Sequence, residues 1–312
     1  MTRVQNIGYQ IWLLWQNLKW INVAKSIFSV LGALWLIIEV LAFFNKAEFS
    51  EDLKSIWWIF LIIGIVWVIY ENWPKQKYCY QVKGKDVSIT LQIGDIFKIQ
   101  GALILPVNNK FDVDNKGIIK KSSSILRHFI KNIYKDVTAH LDTDINNQIN
   151  DNSNWYEKFY LSTEPRLFKI GTVVPIFREE RQYYLLSNST LNEQNRSKCT
   201  EDDLRNSLIE LWAYLSQCGS KDNLVIPIIG TGRGRINLTR EEVIKEIVLS
   251  FLVSLSVETY CEQLTICIHP ADIKKFKINI DDLADFIKLH CTNTNFSKLN
   301  DPNINNSGQT IE

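Results

Sequence analysis

Two apolar runs near the N-terminus constrain this chain more than any other feature. Residues 26–44 read SIFSVLGALWLIIEVLAFF, with Glu39 as the only charge, and residues 56–70 read IWWIFLIIGIVWVIY. A helix of about twenty residues crosses the roughly 30 Å hydrocarbon core of a bilayer. The first run has that length, and the second reaches it when Leu53 and Trp73 are included. The stretch between them, NKAEFSEDLKS, is too short for a domain. Eight of the ten Trp fall within the first 73 residues, and Trp57, Trp58, Tyr70 and Trp73 stand at the ends of the second run, where aromatic rings favour an interface. The pattern predicts a transmembrane hairpin within residues 23–75, with helices at about 26–44 and 54–73. Two buried helices of a globular core are the alternative. A cleaved signal peptide is disfavoured, because Phe43-Phe44-Asn45 offers no small-residue cleavage site.

Arg3, Lys19 and Lys25 precede the first run, and Lys75, Lys77, Lys83 and Lys85 follow the second. The loop between has Lys46 and Lys54 against Glu48, Glu51 and Asp52. The positive-inside rule then predicts both termini and the C-terminal domain on the cytoplasmic side of the membrane. Within residues 1–22, Ile7, Ile11, Leu14, Trp15, Leu18 and Ile21 recur at helical spacing, an amphipathic segment suited to a membrane interface or to a packing partner. Glu39, a carboxylate in an apolar span, is a candidate for an oligomer or pore-lining role; it is also near enough to the end to reach the interface.

Composition excludes several classes. With 35 basic and 34 acidic residues the net charge is +1, which gives no general attraction to nucleic acid. Cys79, Cys199, Cys218, Cys261, Cys267 and Cys291 fall in no CxxC or paired ligand spacing, so reduced thiols are expected in place of a disulfide framework or a metal site. The near-zero mean hydropathy is an average over two unlike parts.

Residues 80–292 read as one α/β domain. Apolar runs predict strands at Val87–Ile93, Ala102–Val107, Gly171–Phe177, Tyr183–Ser187, Leu224–Ile229 and Leu264–Ile268. Helical spacing marks Ser122–Asp136, Glu201–Cys218, Arg240–Leu255 and Asp281–His290. The interleaving predicts an α/β sandwich with a mixed sheet. The Asn-rich stretch Asp142–Asn154 reads as a surface loop, and residues 293–312 as a flexible tail.

The strongest local signal is a buried strand, LVIPII, followed by Gly230-Thr231-Gly232-Arg233-Gly234-Arg235 and then a helix opening at Thr239 with Glu242 three residues on, a capping box. Such a turn can bring bare backbone N–H groups against an anion, with Arg233 or Arg235 adding positive charge, and a phosphate or diphosphate suits it; a flexible turn with solvated arginines is the alternative. A P-loop would need Lys and Ser or Thr where Arg235 and Ile236 stand. A dinucleotide fingerprint would be GxGxxG at the first strand of its unit. Neither motif fits.

The segment Val87-Ser-Ile-Thr-Leu-Gln-Ile-Gly-Asp-Ile-Phe97, with Ala102-Leu-Ile-Leu-Pro-Val-Asn-Asn109 after it, resembles the opening of a macro domain, and Ile226-Pro-Ile-Ile-Gly-Thr-Gly232 resembles that family's second loop. The resemblance covers about 200 residues in the right order. It implies a macro-domain-like three-layer sandwich and a ligand of the ADP-ribose type. Carried over, Asp95 would accept from the adenine amino group beside the Ile96 backbone, and Asn109 and Asn108 would meet the distal ribose. Gly230, Thr231, Gly232, Arg233 and Gly234 would wrap the diphosphate, and Arg235 and Gly117 complete the candidate ligand-binding set. A turn-capping Asp95 and strand-ending asparagines are the alternatives to those roles.

The loop after Asn109 departs from the enzymatic members, which carry a glycine run there; here Gly117 is the one glycine between Lys110 and Ser124. That departure, and the lack of a catalytic triad in the sequence, predict a sensor without catalytic residues, cofactor or metal, and His128, His140, His269 and His290 read as surface or structural. Two apolar spans before such a domain resemble the membrane effector of type II Thoeris antiphage systems. That resemblance implies a TIR-domain partner that consumes NAD and releases an ADP-ribose-derived signal, with histidine-ADP-ribose as candidate. It further implies homo-oligomerisation and disruption of the bilayer. A membrane-anchored ADP-ribosyl hydrolase and a membrane scaffold holding a protein partner are the alternatives.

Overall fold

The computed structural model describes residues 57–71 and 75–294, except 114–123, 164–165, 193, 195 and 233, with scattered helical positions between 25 and 43. The amphipathic segment 1–22, the loop between the apolar runs, Gly117, Arg233 and the tail beyond Thr294 lie outside the described residues. The chain divides into two compact units, residues 1–76 and 77–312.

In the first unit, helix α1 spans Trp57–Glu71. Gly64 is buried in it, and a Cβ there would stand 3.7 Å from Cγ1 of Val30, so the two apolar runs touch at a glycine. The side chains around it, Ile62, Ile63, Ile65, Val66 and Trp67, are exposed, as is Glu39. No helix among the described residues is long and apolar enough to cross a membrane. The expected spans of 26–44 and 54–73 are therefore not supported as full-length helices: α1 has 15 residues, about 22 Å of rise.

The second unit is a mixed sheet between two helical layers, in agreement with the expected sandwich. Its strands are β1 (Lys77–Gln81), β2 (Ser88–Ile93), β3 (Ala102–Asn108), β6 (Val173–Arg178), β7 (Arg181–Leu191), β8 (Ser197–Lys198), β9 (Leu224–Pro227) and β10 (Gln263–Ile268). A separate hairpin pairs β4 (Tyr160–Thr163) with β5 (Arg166–Phe168). The order is β1-β2-β10-β9-β3-β7-β6, with β8 on the end of β7. The five central strands, β2, β10, β9, β3 and β7, are mutually parallel, and β1, β6 and β8 are antiparallel to their neighbours. Parallel strands buried on both faces need continuous apolar sequence, and Ile104, Leu105, Leu185, Leu186, Val225 and Ile226 supply it.

On one face, α2 (Ile125–Ile133) and α3 (Thr138–Asp151) send Phe129, Ile130, Leu141, Ile145 and Ile149 against Leu103, Leu105, Tyr183 and Leu185. The Asn-rich stretch expected as a loop is thus mostly α3 and the short α4 (Ser153–Tyr156). Leu141, Ile145 and Ile149 recur every four residues and form one apolar stripe, whose burial outweighs the weak helix propensity of the Asn and Asp between them. The other layer contains α5 (Glu201–Cys218), α6 (Arg240–Ser254) and α8 (Ile280–Asn293), with α7 (Pro270–Phe276) before α8. Trp212 of α5 packs edge-on against Phe251 of α6, and its indole N–H donates to Ser250 Oγ at 3.0 Å. The expected capping box is formed: Glu242 N donates to Thr239 Oγ1 (3.2 Å) and Thr239 N to Glu242 Oε2 (2.7 Å).

Candidate functional site

Because five strands run parallel, their C-terminal ends share one edge of the sheet, and the loops leaving them converge there. In open α/β sheets this edge is where ligands bind. The turn at Asp95 leaves β2, Asn108 ends β3 with Asn109 directly after it, the glycine loop follows β9, and Ser187-Asn188-Ser189 of β7 lies level with the end of β3. Within the second unit, topology therefore brings together the described residues that the resemblance assigned to a ligand; Glu39 belongs to the first unit.

Asp95 caps a short 3₁₀ turn, Ile96–Lys98, its Oδ1 accepting from Phe97 N at 3.2 Å. Ile96 is buried beneath it. The 94–95 turn lies against β10, where Gly94 N donates to Ile268 O at 3.0 Å. Burial, with a smaller contribution from the nearby Asp95 carboxylate, pushes the Cys267 thiol up to about 12. His269, the residue after β10, caps α7 by accepting from Ala271 N through Nδ1 (3.2 Å), a structural role.

The two asparagines differ. Asn108 organises its own loop: Oδ1 accepts from Lys110 N (3.0 Å) and Asp112 N (3.2 Å), while Nδ2 donates to Asp112 O (3.0 Å). Asn109 is 3% exposed and is clamped to Phe168, donating from Nδ2 to its carbonyl (3.3 Å) and accepting from its N–H (2.9 Å). Its Oδ1 is a buried acceptor without a hydrogen-bond partner among the described residues. Such an atom costs about 1–3 kcal/mol when left unpaired, and a ligand hydroxyl could satisfy it.

The glycine loop has a fixed base and an open tip. Gly230 has φ +75, and a Cβ there would lie 3.2 Å from Cys199 Sγ. A Cβ on Gly234 would lie 2.7 Å from Gly230 O and 2.9 Å from Cys199 Cβ. Ile236 N donates to Gly230 O (3.2 Å), closing the base. At the tip, Thr231 is half-buried, Gly232 is exposed, and no described atom lies within 4 Å of where a Gly232 Cβ would be. Arg235 is exposed, with φ 52. The described residues expected to wrap a diphosphate therefore divide: Gly230 and Gly234 hold the loop's shape, and Thr231 and Gly232 present backbone to the edge.

Sequence reasoning missed three residues here. Asn188, 3% exposed, lies between Val107 O and Gly230 N. Cys199 forms the floor of the loop, and burial, with Asp203 adding to it, pushes its thiol up to about 12, so it is protonated and unreactive at neutral pH. Arg181, at the start of β7, donates to Gly101 O (2.8 Å), Ile99 O (2.8 Å) and Phe97 O (3.2 Å), holding the strand connection that carries Asp95. The polar triplet Ser187-Asn188-Ser189, directly after the apolar Tyr183–Leu186, was the available signal for Asn188. Among the described residues no group of three or more His, Cys, Asp or Glu is placed to hold a metal.

Similar solved structures include an asparagine-to-alanine mutant of the Oceanobacillus iheyensis macrodomain (10% identity, 68% of this chain and 94% of that one, TM-score 0.46). An aspartate-to-alanine mutant of the same macrodomain has 9% identity over 68% and 99% of the two chains, with TM-score 0.43. No curated protein matches the chain significantly. Residues 89–269 match the family described as Thoeris protein ThsA, Macro domain, from within β2 to the residue after β10, and on that match, which spans more than half of its length, the chain belongs to the Thoeris ThsA macro-domain family.

Proposed function

We propose that residues 77–294 bind a ligand of the ADP-ribose type along the carboxyl edge of the sheet, as the sensing part of an antiphage defence effector. The observation that carries this reading is the open tip at Thr231–Gly232, where backbone can approach a diphosphate, on the same edge as the unpartnered Oδ1 of buried Asn109. In this assignment Asp95 and the Ile96 backbone meet adenine, Asn109 meets the distal ribose, and Thr231, Gly232, Arg233 and Arg235 meet the diphosphate. The domain acts as a sensor and not as a hydrolase.

Family membership supports a place in Thoeris defence, with an ADP-ribose conjugate such as histidine-ADP-ribose as the signal and a TIR-domain protein as its source. The exposed apolar surface of α1 supports a membrane role for the first unit, with ligand-driven self-association preceding damage to the bilayer. Ligand can drive that step only if it binds the associated state more tightly. Titrating the full chain with ADP-ribose and with histidine-ADP-ribose tests the first part; saturable binding lost in Gly232→Glu is expected, and its absence in the wild type overturns the assignment. The second part is read from dye release by vesicles carrying the full chain, which should require the ligand.

A further inference from the structure

We propose that Asn188 is a positioning residue that couples the two ligand loops, holding the glycine loop after β9 in register with the asparagine loop after β3. The inference rests on the ligand reading above for its consequence on affinity, but its structural basis is independent.

The register of β7 against β3 contains an irregularity. Val107 pairs with Ser187 and Asn108 pairs with Ser189, so Asn188 is an extra residue facing no partner in the ladder. Bulges of this kind re-aim a side chain at the end of a strand. Here the amide, in the orientation that satisfies both neighbours, donates from Nδ2 to Val107 O (3.2 Å) and accepts through Oδ1 from Gly230 N (3.3 Å). Val107 immediately precedes the two asparagines, and Gly230 opens the glycine loop. One buried amide thus ties the exit of β3 to the exit of β9.

The neighbours reinforce that tie. Ser189 O accepts from Asn109 N (2.8 Å), its Oγ donates to Val107 O (3.4 Å), and Ser197 Oγ donates to Ser189 Oγ (2.8 Å). Beyond β8, Cys199 N donates to Gly234 O (2.7 Å). The segment from Asn188 to Cys199 therefore grips both ends of the glycine loop, and Asn188 is hydrogen-bonded to both loops at once. A side chain that is donor on one side and acceptor on the other is required, because Val107 O can only accept and Gly230 N can only donate. Gly230 N is then already engaged and is not a free donor to the ligand.

The test compares wild type, Asn188→Ala and Asn188→Asp in the full chain, using amide hydrogen exchange without ligand and ADP-ribose as the binding probe. Asn188→Ala should speed exchange at Gly230 and weaken ADP-ribose about tenfold, the loss expected for one buried hydrogen-bond bridge, while β10 amides keep their protection. Asn188→Asp should resemble Asn188→Ala at pH 7.5, where its carboxylate faces Val107 O. It should recover as the pH falls and a protonated carboxyl again supplies both donor and acceptor. Unchanged exchange at Gly230 in Asn188→Ala, or an aspartate variant whose exchange follows pH as the wild type does, overturns the proposal. Should wild type take up no ADP-ribose, the ligand reading fails, and the exchange data still decide the coupling. If Asn188→Ala loses β10 protection and so misfolds, Asn188→Asp across the pH series decides alone.

Discussion

The backbone N–H of Cys199 donates to the carbonyl of Gly234 at 2.7 Å, so a loop thirty-five residues downstream in sequence is seated just ahead of the Thr200 cap of α5. That seating leaves no room for side chains at the loop's base. Gly234→Ala would place a Cβ 2.7 Å from Gly230 O and 2.9 Å from Cys199 Cβ, and a destabilisation of about 1–3 kcal/mol is expected. Gly232→Ala should be nearly neutral, since its Cβ would meet no described atom within 4 Å. Denaturant unfolding of the two variants checks this; equal losses would show that the base and tip of the loop are not distinct.

Arg181 makes a second prediction. Replacement by Ala leaves the carbonyls of Gly101, Ile99 and Phe97 without their shared donor, which should cost about 2 kcal/mol or more. Arg181→Lys should recover only part of this, because an ammonium cannot reproduce the planar fork. Unfolding midpoints at matched slope provide the measurement, and a fully restored lysine variant would contradict the account.

The buried thiols predict alkaline sensitivity. Burial pushes Cys199, Cys261, Cys267 and Cys291 each up to about 12, whereas an unfolded cysteine ionises near about 8.5. The fold keeps these protons longer than the unfolded chain does, so their contribution is complete below the unfolded value and is lost as pH rises towards the folded one. Thermal midpoints should fall steadily above about pH 9, and a quadruple Cys→Ala variant that still folds should show a shallower fall. In the native chain, Cys79 and Cys218, which are exposed, should alkylate first.

Asp95 separates a structural from a ligand role. Asp95→Asn keeps an oxygen to accept from Phe97 N, as Oδ1 does now, so stability should hold within about 0.5 kcal/mol. In the proposed site the amide is a poorer acceptor than the carboxylate, and ADP-ribose should bind about tenfold more weakly. Calorimetric titration beside a melting curve distinguishes the two, and unchanged affinity would remove Asp95 from the adenine contact.

Glu39 tests the separation of the two units. Glu39→Leu should leave ADP-ribose affinity unchanged while altering dye release from vesicles. Loss of binding in that variant would show that the carboxylate serves the ligand site.

The sequence by itself determined the elements that depend on neighbours along the chain. The apolar runs of β2, β3, β9 and β10, the capping box at Thr239 and Glu242, and the glycine loop between strand and helix all follow from local spacing and backbone chemistry. Their interleaving predicted an α/β sandwich, and the resemblance to a macro domain implied ligand roles for Asp95, Asn109 and Gly232. Only the tertiary structure decided which of these residues hold the site's shape and which remain open to a ligand. Asn108 is occupied by its own loop, whereas Asn109 is anchored to Phe168 through Nδ2 and its backbone carbonyl, with Oδ1 left unpaired among the described residues. Gly230 and Gly234 are fixed by Asn188 and Cys199, residues thirty-five or more positions away. Tertiary packing also made a helix of the Asn-rich stretch, because Leu141, Ile145 and Ile149 gained a sheet to cover. Hydrogen bonds from a side chain to distant backbone, and burial against a distant strand, leave almost no trace in local sequence, since every non-proline residue offers the same N–H and C=O groups to whichever partner the fold brings near.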